Sequence, residues 1–264
     1  MMESFRAKTA VITGSTSGIG LGLARGLAAQ GMDVVINGLG STEEKHRIAS
    51  EIEQAFGVRA PVIDADLTRA GPARELIERA QQTLGSVDVL INNAGVQHVS
   101  PVEQFPDEQW ERIISLNLSA SFYTAKAALP LMKERGFGRV INIASAHALV
   151  ASPFKSAYVA AKHGVVGFTK TLALEIAEEE NLTANAICPA YVRTPLVEGQ
   201  IADQAKAHGM DEEQVIRDVI LAAQPNKRFV TIEELVALTR LLCSEEGRSF
   251  NGSAIPMDGG WTAR

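Results

Sequence analysis

Tyr158 and Lys162 stand four residues apart in a stretch of helical period, which puts a phenol and an ammonium on one helix face. A free tyrosine titrates near ~10 and is a poor base at neutral pH. A nearby ammonium, together with a cationic ring bound alongside, favours the phenolate and lowers that value. Such a pair can pass a proton to or from a carbinol oxygen. Tyr–Lys pairs also occur on ordinary solvated helices, so the neighbouring residues matter. Ser145 closes a short apolar run of strand character, where its hydroxyl can hydrogen-bond a carbonyl oxygen and stabilise developing charge. Asn117 lies inside a long helical pattern, a place its amide does not favour. Unless it faces solvent, it can relay protons through water toward Lys162.

A second group of residues has the chemistry of a phosphate cradle. Thr13-Gly14-Ser15-Thr16-Ser17-Gly18-Ile19-Gly20 runs from an apolar strand pattern straight into a helical one. Glycines at 14, 18 and 20 let the backbone turn tightly and approach a ligand. The helix start then offers unpaired N–H groups and a positive dipole end to a pyrophosphate. No Gly-Lys-Ser/Thr follows, so this is not a nucleoside-triphosphate loop. The second strand pattern ends Asn37-Gly38-Leu39-Gly40, with neither an acid for a ribose 2′-hydroxyl nor an Arg for a 2′-phosphate. With Ser rather than a cation at position 17, NAD is expected over NADP. Asp66-Leu67 can meet an adenine edge or cap a helix, and Asn92-Asn93-Ala94-Gly95 is small enough to approach a ribose.

These residues need elements to position them. Short Val- and Ile-rich runs at 9–13, 33–37, 60–64, 87–92, 139–144, 183–188 and 254–257 barely alternate, as parallel strands covered on both faces should read. Helical periods fill 19–30, 43–56, 73–84, 108–135, 156–179 and 232–243. Ser41 with Glu44 and Thr231 with Glu234 fit capping boxes, Asp107 is a further candidate cap, and Gly31 and Gly57 fit as terminators. Repeated strand–helix–strand units predict an α/β fold: a doubly wound, seven-stranded parallel sheet with helices on both faces. With no linker or repeat, 1–264 reads as a single domain. Residues 189–228 break the rhythm between the sixth strand and the last helix, with a helical look at 211–223. Loops this long are usually functional, and this one is expected to be a substrate lid.

Composition narrows the partners. With 25 Lys+Arg against 31 Asp+Glu, a net charge of −6 and no basic run, nucleic acid is disfavoured. No apolar run reaches the ~18 residues of a membrane span, and no signal-peptide core precedes Lys8, so a cytoplasmic protein is expected. Cys188 and Cys243 are expected to be reduced and buried, and the scattered histidines suit no metal site.

Taken in order, Thr13–Gly20, Asn92–Gly95, Asn117, Ser145, Tyr158 and Lys162 resemble the short-chain dehydrogenase/reductase family along essentially the whole chain. The resemblance implies a seven-stranded Rossmann-type sheet, a nicotinamide cofactor, direct hydride transfer and, in most members, a homotetramer. It implies that Ser145 orients the substrate and Tyr158 is the acid/base. Lys162 would bind the nicotinamide ribose and tune Tyr158, while Asn117 completes the relay. Cofactor contacts are expected from Gly14, Thr16, Ser17, Gly18, Ile19, Gly20, Asp66, Leu67, Asn93, Ala94, Gly95, Tyr158, Lys162, Pro189, Val192 and Thr194. Stretches 37–40, 94–99, 145–147, 154–158, 188–197 and 258–263 are similar to the branch that oxidises (R)-3-hydroxybutyrate to acetoacetate with NAD. That likeness places Gln97, His147, Lys155 and Gln200 around the carboxylate, with Ser145 and Tyr158 at the reacting carbon and Tyr191 and Trp261 as apolar walls. Tyr191 stands where some relatives carry tryptophan, and Ala190 where glycine is common, which alters the pocket's size. The alternatives are another enzyme of the same scaffold, such as a 3-oxoacyl carrier-protein reductase or a sugar dehydrogenase, and a non-catalytic nicotinamide sensor.

Overall fold

Val and Ile branch at Cβ and pack well on a pleated surface, and the runs that contain them form the sheet. The computed structural model describes residues 5–263, apart from the side chains of residues 196, 200, 203, 204, 207 and 208. Strands β1 (Thr9–Ile12), β2 (Asp33–Ile36), β3 (Val89–Asn92), β4 (Gly138–Ile143), β5 (Leu182–Pro189) and β6 (Ala254–Met257) pair in parallel in the order β2-β1-β3-β4-β5-β6. Successive residues of one strand feed opposite cores. Ala10 and Ile12 pack with Leu23, Leu27, Ile48, Ile52, Leu235 and Leu242 on one face, while Val11 packs with Leu76, Ile77, Ala125 and Leu172 on the other. The helices supplying the first face are α1 (Gly18–Ala28), α2 (Thr42–Phe56) and, near the C-terminus, the helix over Ile232–Cys243. The second face is covered by α3 (Ala70–Leu84) and, beyond α4 (Asp107–Ile114), by α5 (Ala120–Arg135) and α6 (Ser156–Glu175). The doubly wound expectation holds.

The sheet has six strands among the described residues, not seven. The expected strand at 60–64 touches β2 through one bridge, Ile36 to Val62. Val34 N–H donates to Arg59 O, but the return bond would come from position 61, which is proline and has no N–H. The ladder is therefore broken beside its only complete bridge. Two other expectations shift. Pro106, not Asp107, is the N-cap of α4, and Asp107 is the first helical residue. The expected helix 108–135 is interrupted by a π turn over Ser115–Ser119, which carries Asn117. Thr231 and Glu234 do form the full capping box, while Ser41 accepts from the Glu44 N–H.

The insertion after β5 holds α7 (Pro195–His208), the short α8 (Glu212–Val215) and a π turn over Ile216–Ile220. Its apolar residues Val197, Ile201, Val215, Ile220 and Leu221 form a cluster of their own, with Tyr191 and Phe229 packed against it. The chain then enters α9 (Ile232–Cys243) and β6. Cys188 and Cys243 are both free and buried.

At the opposite edge of the sheet from the strand C-termini, Asp88 is fully buried and its carboxylate accepts from Thr9 N–H, Ser86 Oγ and Arg135 Nε at 2.6–2.8 Å. Removing it strands two buried donors, Thr9 N–H and Ser86 Oγ, each costing about 1–3 kcal/mol, and unpairs the half-exposed Arg135. Asp88→Ala is expected to lower the unfolding free energy by about 3 kcal/mol in a urea titration; a change under ~1 kcal/mol would show that the network is dispensable.

Candidate active site

β1 connects to β2 on one side of it, and the chain crosses to β3 on the other, so the winding reverses at β1. Ligands of open α/β sheets lie beyond the strand C-termini at such a point. A cavity of about 960 Å³ opens there, reaching from Gly38 and Asp66 at one end to Tyr191 and Trp261 at the other.

The glycine turn forms the cavity's floor. Gly14 has a left-handed φ of +67°, and a Cβ there would lie 3.0 Å from Ala94 Cα. Asn93 Nδ2 donates to the carbonyls of Thr13 and Gly14, while Thr13 Oγ1 accepts from the N–H groups of Asn93 and Ala94. The turn after β1 and the turn after β3 thus brace each other. Ser17 caps α1 without a side-chain hydrogen bond, and no acid stands in the first helical turn. The α1 start, with Ser17, Gly18 and Ile19 lining the cavity, is left to an anionic ligand. These residues fit a dinucleotide pyrophosphate.

Most of the expected contacts line this one cavity: Gly14, Thr16, Ser17, Gly18, Ile19, Asp66, Leu67, Asn93, Ala94, Gly95, Pro189, Val192 and Thr194 for the cofactor, and Gln97, Ser145, His147, Lys155, Tyr158, Lys162, Tyr191 and Trp261 for the chemistry. Two do not. Gly20 lies behind the turn, where a Cβ would fall 2.2 Å from Gly14 O, so its absence of side chain serves packing. Asn117 is buried and commits its amide to the Val96 backbone, accepting from the N–H and donating to the C=O at 2.9 Å each. It is not the solvent-facing residue that the helical pattern allowed, nor does it reach the cavity wall. It sits in the π turn, a distortion the apolar spacing did not reveal. Gln200 lies on α7, and its side chain is outside the described residues.

Ser145 follows β4 and caps a 3₁₀ turn over Ala146–Ala148, its Oγ accepting from His147 N–H at 3.2 Å. Lys162 is buried under Tyr158, with Nζ 5.7 Å from the phenol ring centroid and donating to Ile143 O at 2.7 Å. Burial pulls the Lys162 ammonium down to about 8. Without the cationic ring that the lowered value was expected to need, burial raises the tyrosine, outweighing the downward pull of the Ser145 hydroxyl. In the protein alone, desolvation of the phenol exceeds any help from an ammonium whose proton is engaged by a carbonyl.

The far end is aromatic. Tyr191 and Trp261 stack with centroids 6.2 Å apart, and His147 meets Trp261 edge-on at 5.0 Å. Lys155 Nζ lies 5.8 Å from the Tyr191 ring centroid. Trp261 is anchored by Asp258, whose carboxylate accepts from the N–H groups of Gly260 and Thr262 and from the Thr262 hydroxyl. Neither this anchor nor the Thr13–Asn93 brace has a sequence signal, because each depends on a tertiary turn. Burial holds His147 down at about 4, with repulsion from Lys155 and His163 adding to it. His147 is therefore a neutral hydrogen-bonding group at pH 7. Between about 4 and 6.5 the unfolded chain binds more protons there than the folded one, so stability rises with pH across that window and is lost as pH falls. His147→Gln is expected to flatten this part of the stability–pH curve by ~2–3 kcal/mol, and an unchanged curve would contradict a neutral buried His147.

Fold and cavity together define a dinucleotide-dependent oxidoreductase scaffold. The short chain dehydrogenase family model matches residues 8–205, and the chain belongs to that family. It is 52% identical over 257 residues to the D-beta-hydroxybutyrate dehydrogenase of Rhizobium meliloti (strain 1021), covering 97% of this chain and 99% of that protein. It is 50% identical over 258 residues to the enzyme of the same name from Cupriavidus necator, covering 97% and 98%. Among solved structures, L-sorbose reductase from Gluconobacter frateurii, complexed with NADPH and L-sorbose, superposes with a TM-score of 0.93 at 31% identity over 100% of both chains.

Proposed function

We propose that this protein interconverts (R)-3-hydroxybutyrate and acetoacetate with NAD. The observation that carries the substrate is the company Tyr158 keeps. Lys155 and His147 stand against the Tyr191–Trp261 stack, and Gln97 lines the same cavity. A charged group at one side suits a carboxylate, and the stacked rings suit a methyl group. The identity to two D-beta-hydroxybutyrate dehydrogenases supports the same assignment.

Gly14, Thr16, Ser17, Gly18 and Ile19 would hold the pyrophosphate, Asp66 and Leu67 the adenine, and Asn93, Ala94, Gly95 and Lys162 the riboses. Pro189, Val192 and Thr194 would flank the reactive ring. Bound NAD supplies the hydride acceptor. Tyr158 first gives its own proton to solvent, a loss that the positive ring of bound NAD and the Lys162 ammonium beneath the phenol would favour; the phenolate then takes the proton from the substrate hydroxyl, and Ser145 hydrogen-bonds the oxygen as it becomes a carbonyl. Asn117 acts by fixing Val96, next to Gln97. Gln97, His147, Lys155 and Gln200 orient the carboxylate.

The 189–228 insertion, with its separate apolar cluster, serves as the lid of a single 1–264 domain in a cytoplasmic homotetramer. Exposed Phe122 and Leu174, on α5 and α6, offer apolar surface for that assembly. No described helix is long and apolar enough to cross a membrane. The test is formation of reduced nicotinamide on a panel of (R)- and (S)-3-hydroxy acids, polyols and acyl thioesters, with NAD and with NADP. Turnover of (R)-3-hydroxybutyrate with NAD well above every other pair is the expected result; a better polyol or thioester substrate would replace this reading.

A further inference from the structure

The end of β2 lacks the acid that usually meets an adenosine ribose, and a side chain at position 38 would displace that of Thr16. A Cβ on Gly38 would fall 2.4 Å from Thr16 Oγ1, inside the phosphate-binding turn. The neighbouring segment supplies a carboxylate instead. Asp64 follows the Ile36–Val62 bridge by two residues, as Gly38 does on the β2 side. Asp64, Gly38, Leu39 and Thr16 all line the same end of the cavity. Asp64 is held from beneath by Lys45 on α2, whose Nζ donates to Oδ1 at 2.6 Å. The lysine side chain is 9% exposed and the aspartate 57%, so the cation is hidden and the carboxylate is shown. Lys45 lies behind Asp64, and the cations that do line the cavity, Arg112, Lys155 and Lys162, come from α4 and from the chain leading into and along α6.

We propose that Asp64, clamped by Lys45, selects the unphosphorylated adenosine ribose and rejects the 2′-phosphorylated one. This rests on the NAD reading above and gives it a residue. A ribose 2′-hydroxyl can donate to the carboxylate, whereas a 2′-phosphate has only acceptors and negative charge to offer it. The clamp also withholds the nearest ammonium from such a phosphate, because leaving Asp64 would cost Lys45 its partner in a buried place.

The experiment is equilibrium binding of NADH and NADPH, by the fluorescence of the reduced nucleotide, to the wild type, Asp64→Asn and Lys45→Met. Wild type is expected to bind NADH at least 30-fold tighter. Asp64→Asn should cut that ratio at least 10-fold, chiefly by tightening NADPH as Lys45 is released. Lys45→Met should weaken NADPH further, since the carboxylate then stands unneutralised. Circular dichroism spectra checked beforehand confirm that both variants fold. A wild-type preference for NADH with the ratio in Asp64→Asn within twofold of wild type overturns the inference alone. A wild-type preference for NADPH overturns the NAD reading and the inference with it.

Discussion

Tyr158→Phe is expected to lower kcat for 3-hydroxybutyrate oxidation by at least ~10²–10⁴-fold, the range a positioned acid/base contributes. The variant loses one oxygen and keeps the ring, so the packing of His147, 6.1 Å away centroid to centroid, is retained. Lys162 keeps its bond to Ile143 O, and Ser145 keeps the His147 N–H. The dissociation constant for the cofactor should stay within about twofold. Loss of turnover with intact binding separates a chemical role from a structural one. Substantial residual turnover would remove Tyr158 from the chemistry.

Lys155→Ala should instead act on substrate binding. A charge-assisted hydrogen bond to a carboxylate is worth about 2–3 kcal/mol, which converts to a rise in KM of roughly 30- to 150-fold. The cofactor's affinity should not move. The rise should shrink toward unity for a neutral substrate of similar shape, such as the amide of 3-hydroxybutyrate, because no anion is then left without its partner. An equal rise for acid and amide would show that Lys155 shapes the pocket rather than pairing with charge.

What a residue interacts with decides whether its role is legible in the sequence. Local chemistry was legible. The helix at 232–243 and its capping box follow from residues three or four apart, the strand at 254–257 follows from a contiguous run, and all stand where expected. The glycine turn was legible for the same reason. Tertiary hydrogen bonds were not. Asn93 reads as a small residue near a ribose, yet its amide braces the turn after β1. Asn117 was marked by its unfavourable place in a helix, but its partner, Val96, lies 21 positions away. The run at 60–64 has strand composition, and a single proline at 61 breaks its ladder. The raised phenol at 158 is a property of burial, which i, i+4 spacing alone does not report. The acid of the adenosine end was missed because it comes from a neighbouring segment, held by a lysine 19 residues away.

The central claim is that a hydrogen leaves the carbinol carbon as hydride while Tyr158 takes the hydroxyl proton. The most direct measurement follows the label from (R)-3-hydroxybutyrate carrying deuterium at that carbon. In the wild type the deuterium should be recovered quantitatively on the reduced nicotinamide, and Tyr158→Phe should form almost none. Deuterium released to water, or labelled nucleotide formed at wild-type rates without the phenol, would contradict it.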